Sequence, residues 1–178
     1  MVGRLLELAP DLFLSISVTT REPRPGEDEG SQYRFVDDRT FDQLVEAGAF
    51  LEWAAVFGNR YGTPSEPIDL ARSTGRDAVL EIDVQGARAV RAASAEAVLI
   101  FLVPPSEAEL QRRLLSRGTE EDNELARRLT AAADEMANAG WFDHVVVNDD
   151  LDRASAEVAG IIHSYRGRRA SESRKDPL

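Results

Sequence analysis

Two arginines stand three positions apart in a loop that is rich in proline and glycine. Arg21 and Arg24 belong to segment 21–33, which follows the apolar, β-branched segment 12–20. A guanidinium group offers paired N–H donors that suit phosphate oxygens, and the hydroxyl of Tyr33 is a further donor at the end of the loop. We expect these residues to bind a phosphate group; a solvated loop with surface charges is the alternative.

An acidic residue beside a tryptophan is the second candidate. Glu52 precedes Trp53, and segment 58–64, which reads as a turn and includes Tyr61 and Thr63, follows soon after. A half-buried carboxylate needs hydrogen-bond donors, and a guanine base presents a pair of them, N1–H and the 2-amino group. A carboxylate that accepts both would select guanine over adenine. The spacing alone favours the other interpretation, a surface acid at the end of a helix.

Two acids close the apolar segment 77–84. That segment is typical of a buried parallel strand, in which Glu81 and Asp83 point to the same side because side chains alternate. Buried carboxylates need a ligand or a cation, and similar acids hold Mg²⁺ or its waters in phosphoryl-transfer enzymes. The alternative, a cap on the next helix, fits Asp83 less well because we expect that helix to begin near Gly86.

Five arginines lie within seventeen residues of this acidic chain, which indicates an anionic ligand. On a mobile lid, such side chains can neutralise a phosphoryl group during its transfer. Arg113 and Arg117 are spaced i, i+4 and therefore share a helix face. The alternative is a solvated face that pairs with Glu109, Glu120 and Glu124. The five residues are Arg112, Arg113, Arg117, Arg127 and Arg128.

The elements that must position these residues alternate between apolar strands and helices, which predicts an α/β fold with a mostly parallel sheet. Ligands bind at the carboxyl ends of the strands in open α/β sheets, and polar residues follow the strands here, so we expect the site at that edge. The expected strands cover residues 12–20, 33–36, 77–84, 97–106 and 144–149, and the expected helices cover 2–8, 38–47 (beginning at Asp38 or Thr40), 65–74, 85–94, 106–116, 120–138 and 151–166.

The composition excludes several classes of protein. The 178 residues carry a net charge of −11 and have a pI near 4.7, which argues against non-specific binding of nucleic acid. The absence of cysteine excludes disulfides and thiolate chemistry, and His144 and His163 stand far apart. No apolar run approaches the roughly 20 residues of a membrane span, and the N-terminus lacks the features of a signal peptide. We therefore expect a cytoplasmic protein with no membrane or nucleic-acid partner.

Eight strings of this sequence, in their order and spacing, closely resemble guanylate kinases. They are SISVTTREPRPGE, YRFV, FLEW, GNRYGTP, LEIDVQGA, FLVPPS, RGTEE with RRL after it, and VVVNDDLD. The resemblance implies a P-loop kinase-like core in a domain of residues 1–165, with a GMP-binding subdomain at 17–75, a helical lid at 106–138 and a polar tail at 166–178. It also implies transfer of the γ-phosphoryl group of ATP to GMP, giving ADP and GDP, with Mg²⁺ as the cofactor.

The same resemblance implies roles for individual residues and names no direct metal ligand. The GMP phosphate would be held by Arg21, Arg24, Tyr33 and Tyr61, and the guanine base would be recognised by Ser17, Glu52 and Thr63. Glu81 and Asp83 would be the acidic pair near GMP and the metal-bound phosphates, with Glu81 among the GMP-binding residues and Asp83 among the catalytic ones. The catalytic arginines facing the ATP phosphates would be Arg113, Arg117 and Arg128, and the loop beside adenine would contain Asn148 and Asp149.

One part of the family pattern does not occur in these 178 residues. Guanylate kinases begin with a strand, a phosphate-binding loop of the form GxxxxGK followed by serine or threonine, and a helix; here no such motif occurs, and the only lysine is Lys175. We favour a start site placed too late in a complete enzyme. The alternatives are a catalytically inactive module that binds GMP, phosphate or phosphopeptides, and a decayed fragment.

Overall fold

A computed structural model of the chain describes residues 1–31, 33–116 and 122–172. Within those ranges the strands are β1 (Phe13–Leu14), β2 (Ser17–Thr19), β3 (Tyr33–Phe35), β4 (Phe50–Val56), β5 (Asn59–Pro64), β6 (Ala78–Val79), β7 (Ile100–Val103) and β8 (His144–Val147). The helices are α1 (Val2–Leu8), α2 (Asp38–Glu46), α3 (Ser65–Ser73), α4 (Val84–Ala93), α5 (Glu107–Ser116), α6 (Asp122–Ala137) and α7 (Leu151–Glu172), with a 3₁₀ turn at Ala139–Trp141. None of the helices in these ranges combines the length and apolar character of a membrane span.

The residues Asp11–Ala97 form one compact unit, which we term the β-unit. Its main sheet has the strand order β3-β2-β5-β4, with β2 parallel to β3 and antiparallel to β5. A separate two-stranded sheet pairs β1 with β6 in parallel. The segment 12–20, predicted as one strand, is therefore two short strands that belong to different sheets.

A hairpin joins β4 to β5, where we had predicted only a turn at 58–64. The turn itself is confined to Phe57 and Gly58, because Val56 already pairs with Asn59. Both turn residues have positive φ, 49° and 80°, which is the backbone of the mirror-image turns that suit the twist of two-residue hairpins. The prediction was wrong because glycine, asparagine and proline in the following segment were read as turn formers, although they lie within β5.

Helix α2 supplies the largest buried side chain of the β-unit. Phe41 is 0% exposed and its ring lies 4.8 Å from that of Phe50. The helix begins at Asp38, one of the two predicted starts, and its cap is Asp37, whose side chain accepts a hydrogen bond from the backbone N–H of Thr40 at 2.8 Å. An acidic cap of this kind satisfies one of the free N–H groups at the start of a helix.

The residues Met1–Pro10 and Val98–Leu178 form the second compact unit, the helical unit. Helix α1 packs on α7, where Leu5 is buried and Arg4 Nε lies 2.7 Å from Asp152 Oδ1. Strands β7 and β8 pair in parallel, with Val146 fully buried. Helix α7 continues to Glu172, so the first residues of the predicted polar tail at 166–178 extend the last helix.

The α/β class predicted from the sequence is confirmed, and the sheets are mixed. Parallel pairing joins β1 to β6, β2 to β3 and β7 to β8. The antiparallel pairs all involve β5, which, like β4, the sequence did not predict as a strand. The expectation of a mostly parallel sheet therefore fails only around this hairpin.

Candidate functional site

Glu52 lies at the centre of the candidate site as a buried carboxylate on β4. It is 7% exposed and pairs directly with Thr63 on β5, which is 1% exposed and donates its hydroxyl hydrogen bond to Oε1. Burial, together with the negative charge of Asp83, raises the pKa of the Glu52 carboxyl, while the Thr63 hydroxyl opposes that rise. The interpretation of Glu52 as a surface acid at a helix end is wrong, because it occupies an inward-facing position of a strand.

One row of paired residues across the main sheet carries all three of the side chains predicted to contact a base. Tyr33 pairs with Ser17 across β3 and β2, and Thr63 pairs with Glu52 across β5 and β4. The β2–β5 register of Val18 with Gly62 places Ser17 opposite Thr63. Residues at directly paired positions share a face of a sheet. Ser17, Thr63 and Glu52 are all buried on this face.

The loop after β2 holds an arginine in a double hydrogen bond. Arg21 Nη2 donates to both oxygens of Glu27 at 2.9 Å, and its guanidinium lies 5.5 Å from the centre of the Tyr33 ring. Burial opposes both ionised groups, yet their mutual hydrogen bond and charge raise the pKa of Arg21 and, with the backbone N–H of Arg24, lower the pKa of Glu27. Glu27 therefore links the side chain of Arg21 to the backbone of Arg24.

The second arginine of the loop faces solvent. The backbone N–H of Arg24 donates to Glu27 Oε2 at 2.8 Å, and the Arg24 side chain is exposed. Tyr33 and Tyr61 meet edge to face with ring centres 5.8 Å apart, and Tyr61 also interacts with the guanidinium of Arg21. Burial, with a contribution from the charge of Glu81, raises the pKa of the Tyr33 hydroxyl. A phenol that stays protonated remains a hydrogen-bond donor.

The two acids after β6 do not lie on a strand. Strand β6 ends at Val79, and α4 begins at Val84, earlier than the predicted start near Gly86. Asp83 caps that helix, since its Oδ1 accepts the N–H of Gly86 at 2.8 Å, and its Oδ2 accepts Gln85 Nε2 at 3.1 Å. The capping interpretation, which the sequence ranked lower, is the correct account of the contacts of Asp83. Glu81 is exposed.

The described residues that were predicted to face ATP, the phosphoryl donor, belong to the helical unit. Arg113 Nε donates to Glu109 Oε1 at 2.6 Å, and its Nη2 donates to the backbone carbonyl of Asn148 at 2.8 Å. Arg112 donates to both oxygens of Glu109, and the hydrogen bonds from Arg112 and then Arg113 lower the pKa of Glu109 to about 2. These contacts with Glu109 are those of the alternative interpretation, a solvated helix face paired with acids.

The remaining predicted residues of the helical unit lie on separate elements. Arg128 is on α6, and Asn148 and Asp149 directly follow β8. Asp149 forms an ion pair with Arg153; burial opposes its ionisation, but the N–H of Asp150 and the Arg153 side chain together lower the pKa of its carboxyl. Arg117 lies outside the described residues, and so does Glu120.

In the described ranges, no cluster of side chains could bind a metal ion by itself. No three histidine or acidic side chains of residues 1–31, 33–116 and 122–172 come together in a metal-binding group. Asp83 uses both carboxylate oxygens at the start of α4, whereas Glu81 has no hydrogen bond with any described residue. Carboxylate oxygens are suitable ligands for Mg²⁺, so Glu81 fits a divalent cation better than Asp83 does.

Two residues of the site carried no assigned role in the sequence. Glu27 lies within segment 21–33, and its spacing of six from Arg21 becomes informative only once the loop closes on itself. Gly86 was noted only as the expected start of a helix. Its signal is a glycine within the first turn of a helix, where a residue with a higher helix propensity would be expected.

Comparisons with known proteins agree with one another. A family model for guanylate kinase matches residues 1–165. The guanylate kinase of Thermus thermophilus is 52% identical over 157 residues, 88% of this chain and 71% of that protein. The guanylate kinase of Aromatoleum aromaticum is 46% identical over 172 residues, 97% of this chain and 84% of that protein.

A solved structure extends the likeness to the fold. The crystal structure of guanylate kinase from Anaplasma phagocytophilum matches with a TM-score of 0.79 at 36% identity, over 92% of this chain and 79% of that chain. Sequence and fold thus lead to one conclusion: the chain belongs to the guanylate kinase family.

Proposed function

We propose that the chain acts as a guanylate kinase, transferring the γ-phosphoryl group of ATP to GMP in purine nucleotide metabolism in the cytoplasm. The observation that carries this proposal is the environment of Glu52. The residue is 7% exposed, and its carboxylate has one hydroxyl donor from Thr63 and experiences the like charge of Asp83. A buried carboxylate with so few donors is costly, and a ligand that brings donors of its own relieves that cost.

The β-unit binds GMP in this proposal. The Glu52 carboxylate accepts the N1–H and 2-amino hydrogens of guanine, Thr63 holds that carboxylate in place, and Ser17 offers its hydroxyl from the same row of the sheet. Adenine presents an unprotonated N1 and no 2-amino group, so its unpaired acceptor would face the carboxylate. Sites built on such buried hydrogen bonds discriminate strongly between related bases.

The arginine loop binds the phosphate of GMP. Arg21, Arg24, Tyr33 and Tyr61 provide the donors, and Glu81 lies on the neighbouring connection. Arg21 is already ordered by Glu27, with 2.9 Å from Nη2 to each carboxylate oxygen, and a guanidinium keeps further N–H groups for a phosphate. Because the Arg21 side chain is already ordered, less conformational entropy is lost when the phosphate binds.

The phosphoryl transfer needs no covalent intermediate on the protein. An oxygen of the GMP phosphate attacks the γ-phosphorus in line, the bond from that phosphorus to the bridging oxygen of ATP breaks, and ADP leaves. The positive charges of Arg113, Arg117 and Arg128 stabilise the charge that develops on the transferring group. Asp83 lies beside the reacting phosphates, and Asn148 and Asp149 contact adenine.

Mg²⁺ accompanies ATP in this proposal. When bound to the ATP phosphates it would neutralise part of their charge, and Glu81 is the carboxylate that the described contacts leave available to it. Residues 17–75 act as the GMP-binding subdomain, 106–138 as the lid and 1–165 as the whole domain. Nucleotides are thus the partners, with no membrane or nucleic acid.

The experiment measures GMP binding by calorimetry and ADP formation by a coupled assay with ATP, GMP and Mg²⁺. Glu52→Gln should weaken GMP by about 10²–10³-fold, because charged hydrogen bonds contribute roughly 1.5–3 kcal/mol each. Glu46→Gln, at an exposed acid of α2, is the matched control and should bind GMP normally.

Each outcome of this experiment decides one point. Unchanged GMP affinity in Glu52→Gln would contradict guanine recognition by that residue. GMP binding by the wild-type chain without ADP formation would favour the second candidate function, a binding module that uses the same surface. The specific support for this candidate is that all the predicted GMP-binding residues belong to the β-unit.

A further inference from the structure

Gly86 occupies a position where glycine is locally unfavourable. It is the third residue of α4, and its φ is not positive, unlike those of the turn glycines. Glycine loses more backbone entropy than alanine does in a helix, so alanine is preferred where nothing else intervenes. A reason for the missing side chain must therefore come from the surroundings of α4.

The surroundings leave no room for a methyl group. A Cβ built on Gly86 would lie 2.6 Å from Glu52 Oε2, 3.0 Å from Glu52 Cδ and 3.1 Å from Ile82 Cβ. These distances are shorter than an ordinary contact, which begins at 3.4 Å. The other glycines of the described α-helices, Gly3, Gly160 and Gly167, have no atom within 4 Å of such a Cβ.

The Glu52 carboxylate is confined from two sides as a result. Thr63 donates to Oε1, and the bare backbone of Gly86 lies against Oε2. The N–H of Gly86 is already used by Asp83, so the backbone gives Oε2 space rather than a hydrogen bond. A side chain at position 86 would force Oε2 to move, and with Oε1 held by Thr63 the carboxylate would have to tilt.

We propose that Gly86 is a specificity-determining positioning residue for guanine. By lacking a side chain, it lets both oxygens of Glu52 face the base, so that N1–H and the 2-amino group are accepted together. This inference rests on the proposed function of Glu52. It deepens that proposal by making the choice of base depend on a backbone position that does not itself contact the base.

The test compares GMP with inosine monophosphate, whose base keeps N1–H but lacks the 2-amino group. Gly86→Ala should weaken GMP binding by about 10–100-fold, the effect of losing one hydrogen bond to a charged group. The binding of inosine monophosphate should weaken by less than about threefold. The matched control is Gly160→Ala, the same change in an exposed helix position with open space. It should leave the ratio of the two affinities unchanged.

A double-mutant cycle with Glu52→Gln separates this inference from the proposed function. If Gly86 acts through Glu52, Gly86→Ala should cause no further loss of GMP preference in the Glu52→Gln background. A lost preference in Glu52→Gln but a normal one in Gly86→Ala would overturn the role of Gly86 and leave that of Glu52 intact. A normal preference in both variants would overturn both.

A second variant addresses the case in which Gly86→Ala unfolds. Glu52→Asp withdraws the carboxylate by one methylene, away from the position that a Cβ would occupy. Gly86→Ala should therefore lower the melting temperature of the wild-type chain more than that of the Glu52→Asp chain. Equal decreases in the two backgrounds would show that the contact with Glu52 is not the reason for glycine, and the inference would fail.

Discussion

The β-unit and the helical unit place their functional charges in different environments. In the β-unit, Glu52 is 7% exposed, and the side chains of Arg21 and Glu27 are only 11% and 17% exposed. In the helical unit, the pairs of Glu109 are more exposed on the arginine side, where the side chains of Arg112 and Arg113 are 67% and 31% exposed, and the Glu109 side chain is 21% exposed. Exposed ion pairs contribute little to stability, so they exchange partners easily.

The difference suggests a division of work between recognition and rate. In the proposed function, the groups that distinguish one base from another are fixed by burial before the ligand arrives. The groups proposed to neutralise the transferring phosphoryl group are held in ion pairs that can open without a large loss of stability. Changes in the β-unit should therefore alter affinity, and changes in the helical unit should alter turnover.

The largest expected effect is on turnover, from Arg113→Ala. We expect the kcat of the full chain to fall by about 10³-fold, as for other arginines that stabilise a transferring phosphoryl group, with the Kd for GMP changed by less than about twofold. Arg112→Ala, which removes the neighbouring partner of Glu109, is the control and should retain its kcat. If Arg113→Ala bound GMP more weakly but kept a normal kcat, the proposed division between recognition in the β-unit and turnover in the helical unit would be contradicted.

Arg24→Ala should have the next largest effect, and on affinity. Removal of a charged donor should weaken GMP by about 10–100-fold, while guanosine, which has no phosphate, should bind as it does to the wild-type chain. Calorimetry with both ligands measures this difference. Arg39→Ala, an exposed arginine of α2, serves as the control. An equal loss for guanosine would mean that Arg24 supports the base site or the fold instead.

Thr63→Val should weaken GMP about tenfold at neutral pH, because one hydrogen bond to the buried carboxylate is lost. It should also move the pH dependence. The Thr63 hydroxyl lowers the pKa of Glu52 against the effect of burial, so valine raises that pKa further. In the proposed function, GMP binding requires the ionised carboxylate, so the affinity for GMP should decrease as the pH is lowered. In Thr63→Val this decrease should begin at a higher pH than in the wild-type chain.

The control for this prediction is Thr63→Ser, which keeps the hydroxyl and should keep the wild-type pH profile. Identical profiles for the valine and serine variants would remove Thr63 from the recognition of the base.

The smallest effect is expected from Glu109→Gln. Because the pKa of Glu109 is about 2, this carboxylate stays ionised at every pH above that value, and its pairs are lost only as the pH falls through it. The substitution should change kcat by less than about fivefold, since an exposed pair is worth little. Glu107→Gln, in the same turn of α5, is the control. A hundredfold loss in kcat would place Glu109 within the machinery of turnover.

Local sequence signals predicted most helices and the strands with continuous apolar runs. The apolar spacing of α2, the run that forms β7 and the helix at Ser65–Ser73 all follow such signals. The hairpin did not, because β5 consists of residues that favour turns, and its strand conformation depends on pairing with β2 and β4. Propensity is a weak guide where long-range pairing decides the backbone.

The chemistry of the candidate site was easier to predict from residue types than its geometry. Arg21 and Arg24 indicate phosphate by their spacing alone. The burial of Glu52 depends on a sheet face shared with Ser17 and Thr63, which lie 35 positions before it and 11 after it in the chain. The cap formed by Asp83 was misjudged for a local reason, since the start of α4 was placed too late.

The two-residue turn at Phe57 and Gly58 makes chain length, more than residue identity, the sensitive property of this hairpin. Glu52 and Thr63 are opposite each other because each strand has the same number of residues between that pair and the turn. One inserted residue in either arm would shift the register and rotate one of the two side chains to the other face of the sheet. Variation among descendants of this chain should therefore tolerate substitutions at Phe57, where a residue other than glycine already occupies the turn, far better than insertions or deletions between Glu52 and Thr63.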